Sequence, residues 1–261
     1  MIGSLAQYTQ RPMRPIENIF QLICSHILPS ACIVCEVFQD HILCTHCATL
    51  LITEQLSNYE CCQQCGITLT AKEIGEHRCL ECETHPPYFD ETYCLDRYEG
   101  MLQTALHQLK YQGRLACAHG LASAWNQLMT ESLTSRQATY LLPVPLSQEK
   151  LCARGFNQAW ELARRIRCAR SIHKNPYILL RHHHKQQQAN ENRINRYKAI
   201  QEMFYINPQY RGHLESATVI VFDDVMTSGA TLNEIARILK DNGVSRVINW
   251  VLLRTLRPIH Q

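Results

Sequence analysis

The stretch Val219-Ile220-Val221-Phe222-Asp223-Asp224-Val225-Met226-Thr227-Ser228-Gly229-Ala230-Thr231 decides the fold, because an apolar strand feeds two carboxylates and then a loop of small residues. A strand ending in Asp223-Asp224 presents fixed negative charge at the carboxyl edge of a sheet, where Mg²⁺ or ribose hydroxyls are held. The loop Thr227, Ser228, Gly229, Ala230, Thr231 offers backbone N–H groups and hydroxyls. Leu232, Ile235, Ala236, Ile238 and Leu239 recur at helical spacing, so the loop opens a helix, and a helix N-terminus suits a phosphate monoester. Together these features describe a site for a phosphorylated sugar. The plainer alternative is an ordinary strand, turn and helix whose acidic pair caps a helix or faces water.

The rest of the chain is uneven in charge and in cysteine. A length of 261 residues allows one large core or two domains, and 46% hydrophobic residues is ordinary for a globular protein. The net charge of +3 conceals 4 Lys/Arg against 11 Asp/Glu in residues 1–95, net −7, and 22 against 12 in residues 96–261, net +10. The C-terminal part is the one suited to anions. Of the 14 cysteines, 11 fall in residues 1–94. Both observations predict a boundary near Asp90 to Asp96, and hence an N-terminal helix and extension over 1–30, a cysteine module over 31–94 and an α/β domain over 95–261. The apolar runs are too short to span a membrane, and no basic region followed by a long apolar stretch opens the chain, so a cytoplasmic protein is expected.

Ile16, Ile19, Phe20, Ile23 and Ile27 predict a short helix that Pro29 stops. Then come Cys32-x₂-Cys35, Cys44-x₂-Cys47, Cys62-x₂-Cys65 and Cys79-x₂-Cys82. Paired spacings in a cytosolic chain read as metal ligands before disulfides, and four knuckles supply two Cys₄ tetrahedra for Zn²⁺. The simplest allotment is sequential, the first four to one ion and the last four to the other, with an interleaved pairing left open. Cys61 competes with Cys62, and His41, His46, His77 and His85 are substitutes; spacing favours Cys62. With four protein ligands each, the sites are structural rather than catalytic.

In the C-terminal part, Tyr98, Leu102, Ala105, Leu106 and Leu109 predict a helix before Lys110-Tyr111-Gln112-Gly113-Arg114, and His119–Met129 another. Ala138–Val144 reads as a strand ended by Pro143 and Pro145. Arg154-Gly155-Phe156-Asn157-Gln158 opens a further helix. Arg181 to Lys198 is the most polar segment and reads either as a solvated basic loop or as a flap. Met203–Asn207 and Arg246–Leu253 are predicted strands.

These blocks together resemble the ComF/GntX competence family, whose C-terminal part looks like a type I phosphoribosyltransferase and whose N-terminal part is a double zinc-ribbon-like module. The resemblance covers nearly the whole chain after the first dozen residues and is strongest at 32–82, 154–158 and 219–231. It implies an α/β domain with a central, mostly parallel sheet behind a small cysteine-rich zinc module. It implies that Asp223 and Asp224 face the ribose hydroxyls of phosphoribosyl pyrophosphate (PRPP) with Mg²⁺, and that Thr227, Ser228, Gly229, Ala230 and Thr231 wrap the 5-phosphate. Arg154 would contact the pyrophosphate leaving group through its planar fork. Lys110 stands where the family has a similar Leu-Lys-Tyr segment, and points at substrate phosphate or into solvent at a helix end.

Over the polar segment, Arg181, Gln188, Arg196 and Phe204 keep the family's places, whereas Lys185 stands for the usual Thr and Ala199 for the usual Asn. Those two departures bear on turnover more than on PRPP binding. The family acts in natural transformation near the channel and helicase that bring in single-stranded DNA. The resemblance therefore implies those partners, peripheral placement at the inner face of the membrane through them, and DNA contacts at Arg181, Lys185, Arg193, Arg196 and Lys198. Tyr197, Tyr205 and Tyr210 would add base stacking. The other readings are an active phosphoribosyltransferase with an unidentified base acceptor and a zinc-dependent docking factor.

Overall fold

A computed structural model of the chain describes residues 30–39, 42–54, 56, 59–129, 138–182 and 203–255. The helix expected over 16–27 lies outside these residues. From the amino end, β1 (Ser30–Ala31) and β2 (Phe38–Gln39) pair antiparallel around the first knuckle, and α1 (Thr45–Glu54) and α2 (Leu80–Thr84) carry Cys47 and Cys82. Next come β3 (Glu91–Arg97), α3 (Gly100–Gln112), α4 (Leu115–Leu128), β4 (Tyr140–Pro143), α5 (Gln148–Arg154) and α6 (Gln158–Ala163). The chain continues through β5 (His173–Lys174), β6 (Leu179–Arg181), β7 (Phe204–Ile206), β8 (Thr218–Met226), α7 (Ala230–Asp241) and β9 (Arg246–Arg254).

Five strands form one sheet in the order β3-β9-β8-β4-β5, and every pairing in it is parallel. The expected α/β class with a parallel central sheet is met. Because side chains alternate along a strand, β8 feeds two cores at once: Ile220 and Phe222 face one side, Val219 and Val221 the other. On the first side lie α3, α4 and α6, where Trp125 packs at 5.6 Å between ring centroids on both Phe222 and Trp250. On the second lie α7 and the β6–β7 hairpin, through Leu179, Phe204 and Ile206.

The cysteine clusters join these same two cores, one on each face. Cys32 and Cys47 pack with the α3–α4 side, and Cys62, Cys65, Cys79 and Cys82 with the α7 side. The first knuckle docks through Ile33, whose side chain lies so close to Gly120 of α4 that a Cβ there would meet it at 2.5 Å. The third knuckle, Cys62-x₂-Cys65, covers the edge of β3, with Thr92 N–H donating to the Gln63 carbonyl at 3.0 Å and Thr92 Oγ1 to the Gln64 carbonyl at 2.6 Å. The division drawn at 94/95 from charge and cysteine content therefore passes through a strand of the central sheet. Among the described residues neither cluster rests on a core of its own. Among the described residues no helix is long and apolar enough to cross a membrane.

Candidate functional site

The strand β8 outruns its neighbour. Pro143, the last residue of β4, pairs with Phe222, so Asp223 and Asp224 extend past β4 with only β9 beside them. That opening at the carboxyl end of a parallel sheet is where such folds bind ligands. Asp223 is half-buried and Asp224 almost fully buried.

Two segments that are distant in sequence, the end of α3 and the block 154–158, converge on Asp224. Lys110, at the end of α3, forms an ion pair with its Oδ2. Gln158, the first residue of α6, donates from Nε2 to its Oδ1 at 3.1 Å. Arg154, the last residue of α5, donates from Nη1 to Gln158 Oε1 at 2.7 Å, and its guanidinium lies 5.4 Å from the Tyr111 ring centroid. The Arg-Gly-Phe-Asn-Gln block thus has a local logic. Asn157 caps α6 by accepting from Ala159 N–H at 3.0 Å and fixes it to the β4 exit by donating to the Val144 carbonyl at 3.0 Å. Gln158 is thereby aimed at the carboxylate. Lys110 is neither directed away into solvent nor alone at a helix end: its side chain is 15% exposed and seated on Asp224.

The two carboxylates titrate in opposite directions. Burial and the Asp224 charge push Asp223 well above the ordinary carboxylate range. Burial would raise Asp224 too, but the Lys110 ammonium and the Gln158 amide hold it below its ordinary value. One buried cation serves two adjacent acids, so Asp224 ionises first, and Asp223 is left to be completed by a ligand or a cation.

Beyond Met226 the loop turns into α7. Gly229 sits at φ 80, in the left-handed region, and a Cβ on it would come within 2.6 Å of Met226 Cε. Ala230 N–H donates to Ser228 Oγ at 3.4 Å, and Asn233 N–H to the Gly229 carbonyl at 2.8 Å. The first-turn amides of α7 open at Gly229, in the arrangement that receives a phosphate. From the far side, Arg254 of β9 is buried and donates from Nη1 to the Met226 carbonyl at 3.0 Å and to the Thr227 carbonyl, and from Nε to the Cys65 carbonyl at 3.0 Å. Sequence reasoning missed Arg254 and gave Gln158 no role. The motif containing Gln158 was a signal; nothing in the sequence pointed to Arg254.

The eight cysteine sulfurs form two groups, Cys32/Cys35/Cys44/Cys47 and Cys62/Cys65/Cys79/Cys82, each with all donors within 4.8 Å of one another. The sequential allotment holds. A tetrahedron with Zn–S of about 2.3 Å has edges of about 3.8 Å, and Cys35–Cys44 and Cys65–Cys79 are 3.8 Å and 3.7 Å apart. The donor set and spacing fit Zn²⁺. Burial raises Cys32, yet the backbone amides of Cys35 and Cys44 outweigh it and bring the thiol down to about 6. Cys61 stands aside and donates to the Leu56 carbonyl at 3.8 Å. His46, His77 and His85 belong to neither group, and His41 lies outside the described residues.

Arg181 ends β6, with its guanidinium 5.6 Å from the Phe204 ring centroid, and burial lowers its pKa. Tyr205 has one face taken by the His182 ring at 4.2 Å, and Tyr210 packs partly into the α7-side core. Lys185, Arg193, Arg196, Tyr197 and Lys198 lie outside the described residues.

A parallel sheet whose central strand ends in paired carboxylates and a phosphate-type loop defines a phosphoribosyltransferase-like protein, and residues 152–258 match the Phosphoribosyl transferase domain family. The chain belongs to the ComF/YhgH family of competence and DNA-utilisation proteins. It is 30% identical over 191 residues to "DNA utilization protein YhgH" of Salmonella typhi, covering 68% of this chain and 78% of that one. It is 25% identical over 179 residues to "Competence protein F" of Haemophilus influenzae, covering 67% and 78%. "Competence protein ComFC" of Bacillus subtilis is 25% identical over 184 residues, covering 68% and 72%.

Proposed function

We propose that this protein works in DNA uptake or utilisation as a PRPP-binding factor that also handles single-stranded DNA. One observation carries the PRPP reading: Lys110, Gln158 and, through Gln158, Arg154 converge on Asp224. Such a network pre-organises an acidic end of β8 directly before a loop and helix N-terminus of the phosphate-binding kind. Asp223 and Asp224 would receive the ribose hydroxyls, and Thr227, Ser228, Gly229, Ala230 and Thr231 the 5-phosphate. Mg²⁺, held with the substrate near Asp223, would neutralise pyrophosphate charge. Arg154 and Lys110 would supply the positive charge that a polyanion at this end of β8 needs. The zinc sites would be structural, each closed by four cysteines.

The DNA reading is supported by the names of the relatives and by the net +10 of residues 96–261. Its contacts would be Arg181, Lys185, Arg193, Arg196 and Lys198, with uptake-channel and helicase proteins as partners. The protein would then work on the cytoplasmic side, held at the membrane through those partners. Transfer of phosphoribose to a base is the second reading. It is favoured by the position of Arg154, whose guanidinium would stabilise departing pyrophosphate as the anomeric carbon takes on positive charge.

Calorimetry of Mg·PRPP with the zinc-loaded full chain tests the first reading. Binding in the wild type that disappears in the Asp223→Asn/Asp224→Asn double variant is expected, and no binding in the wild type would overturn it. Salt-dependent binding of a single-stranded oligonucleotide, weakened by replacing Arg193 and Arg196, tests the DNA contacts.

A further inference from the structure

We propose that Arg254 ties the geometry of the phosphate loop to the occupancy of the second cysteine cluster, so that metal at Cys62, Cys65, Cys79 and Cys82 and phosphate at 227–231 strengthen each other. The ligand half of this statement rests on the reading of that loop given above.

Arg254 is only 6% exposed, and its guanidinium bonds directly to both the Cys65 turn and the phosphate loop, which also meet through the shared α7-side core and the bond from Tyr88 N–H to Asn233 Oδ1. Nε donates to the Cys65 carbonyl at 3.0 Å. Nη1 donates to the Met226 carbonyl at 3.0 Å and to the Thr227 carbonyl. The fork is planar and rigid, so the directions of those carbonyls are set jointly rather than one by one. Thr255 N–H adds a bond to the Met226 carbonyl at 3.1 Å, fixing the same point from the backbone.

The Cys65 end of the tether is seated without slack. Gly66 lies so close to β3 that a Cβ would meet Cys94 Sγ at 2.7 Å and Thr92 Cγ2 at 3.3 Å. The knuckle turn closes through Gly66 N–H to the Cys62 carbonyl at 2.8 Å. The Thr92 bonds to the Gln63 and Gln64 carbonyls and the bond from Cys62 N–H to the Ile67 carbonyl at 2.8 Å pin the turn as well, and the Cys65 thiol, gathered with three others, is its metal-dependent anchor. An ion bonding all four sulfurs would lock the turn, and with it the Cys65 carbonyl. Without the ion the four thiols have no common partner and the turn loosens. A buried guanidinium that loses one acceptor must find another or let water in. Either movement frees the Met226 and Thr227 carbonyls, and the amides of the next three residues are the ones that would meet phosphate. The coupling is reciprocal by linkage, since whatever the metal does for phosphate affinity, phosphate does for metal affinity. The first cluster belongs to the core on the opposite face of the sheet and makes no such connection among the described residues.

Amide hydrogen exchange on the full chain tests the tether without a ligand. In zinc-loaded wild type, exchange of the amides that brace 227–231, Thr255 N–H on the Met226 carbonyl and Asn233 N–H on the Gly229 carbonyl, should be slow, and it should accelerate roughly 5- to 150-fold as a chelator empties the second cluster. Arg254→Gln with both zincs bound should already exchange fast and show no further response, and Arg254→Lys should recover part of the protection. A role in overall folding alone would shift Tm but leave the zinc response intact in Arg254→Gln. Exchange of these two amides that ignores zinc in the wild type, or still responds to it in Arg254→Gln, overturns the proposal. Cys35→Ser, which weakens only the first cluster, should leave both amides unchanged, and an equal acceleration there would overturn the proposal too. Calorimetry with Mg·PRPP on the same samples separates the two ideas. If exchange responds as expected but Mg·PRPP binds no form, the tether is upheld and the ribose-phosphate reading falls.

Discussion

Lys110 and Asp224 form a buried ion pair between the end of α3 and the end of β8. Most buried pairs gain little over an apolar substitute because desolvation cancels the attraction. This one has a second function, since it leaves Asp223 next to an ionised neighbour and, among the described residues, with no cation of its own. The apo site is therefore held short one positive charge, in the place where a ligand-borne Mg²⁺ would supply it.

Separate neutralisation of the two acids should have opposite effects on stability. Asp224→Asn strands the Lys110 ammonium, and breaking one side of a buried pair costs about 3 kcal/mol. Asp223→Asn removes a half-buried, repelled carboxyl and should leave the apo fold unchanged or stabilise it by about 1 kcal/mol. Both should weaken Mg·PRPP binding. Chemical denaturation of the two single variants checks the signs, and equal destabilisation by both would contradict the unequal environments described here.

The same inequality sets a pH dependence. Asp224 lies below its unfolded value of 3.8, so its contribution is fully present above that pH and is lost as pH falls through the lower folded value. Asp223 lies above 3.8, so its proton-bound form stabilises the fold below that pH, and the contribution is lost as pH rises through the higher folded value. Apo stability measured by denaturant titration should decline with rising pH above 3.8 through the Asp223 window, and Asp223→Asn should abolish that decline. Mg·PRPP, which favours the ionised pair, should bind with proton release at the lower end of the window.

The two zinc sites should differ in lability. Cys35 is exposed and Cys44 partly so, whereas all four sulfurs of the second group are buried. A chelator titration followed by native mass spectrometry should therefore remove one zinc readily and the second slowly. Cys35→Ser should eliminate the fast phase only.

What the sequence disclosed and what it withheld follow from how far each interaction reaches. The β8 strand, its acidic end and α7 are local patterns, written in one run of apolar, acidic and small residues, and the knuckles are written in the Cys-x₂-Cys spacing. The convergence of Lys110, Gln158 and Arg154 on Asp224 is set by the packing of α3 and α6 against the sheet, and no local spacing encodes it. How the cysteine module packs was withheld for the same reason. Composition and charge marked residues 31–94 as separate, whereas Ile33 plugs onto Gly120 of α4, and Gln63 and Gln64 bond to Thr92 of β3, so both clusters grow out of the main cores. Arg254 sits at the end of an apolar strand, where a single charge reads as a strand terminus rather than as the link between Cys65 and Thr227.

Gly229→Ala separates backbone strain from crowding at the phosphate loop. The residue sits at φ 80, where a Cβ costs roughly 1–2 kcal/mol, and the added methyl would also approach Met226 Cε at 2.6 Å. That Cε is the far end of a flexible side chain, so it can move aside at little cost. The variant should lose about 1–2 kcal/mol of stability, and its phosphate affinity should fall further than its stability, because the turn that presents the α7 amides is the part deformed. Pairing it with Met226→Ala clears the methyl contact and leaves φ untouched. Stability and Mg·PRPP binding measured on the double variant should then show no recovery over Gly229→Ala, and a return to wild-type affinity would mean that side-chain crowding rather than the left-handed backbone makes glycine necessary at this position.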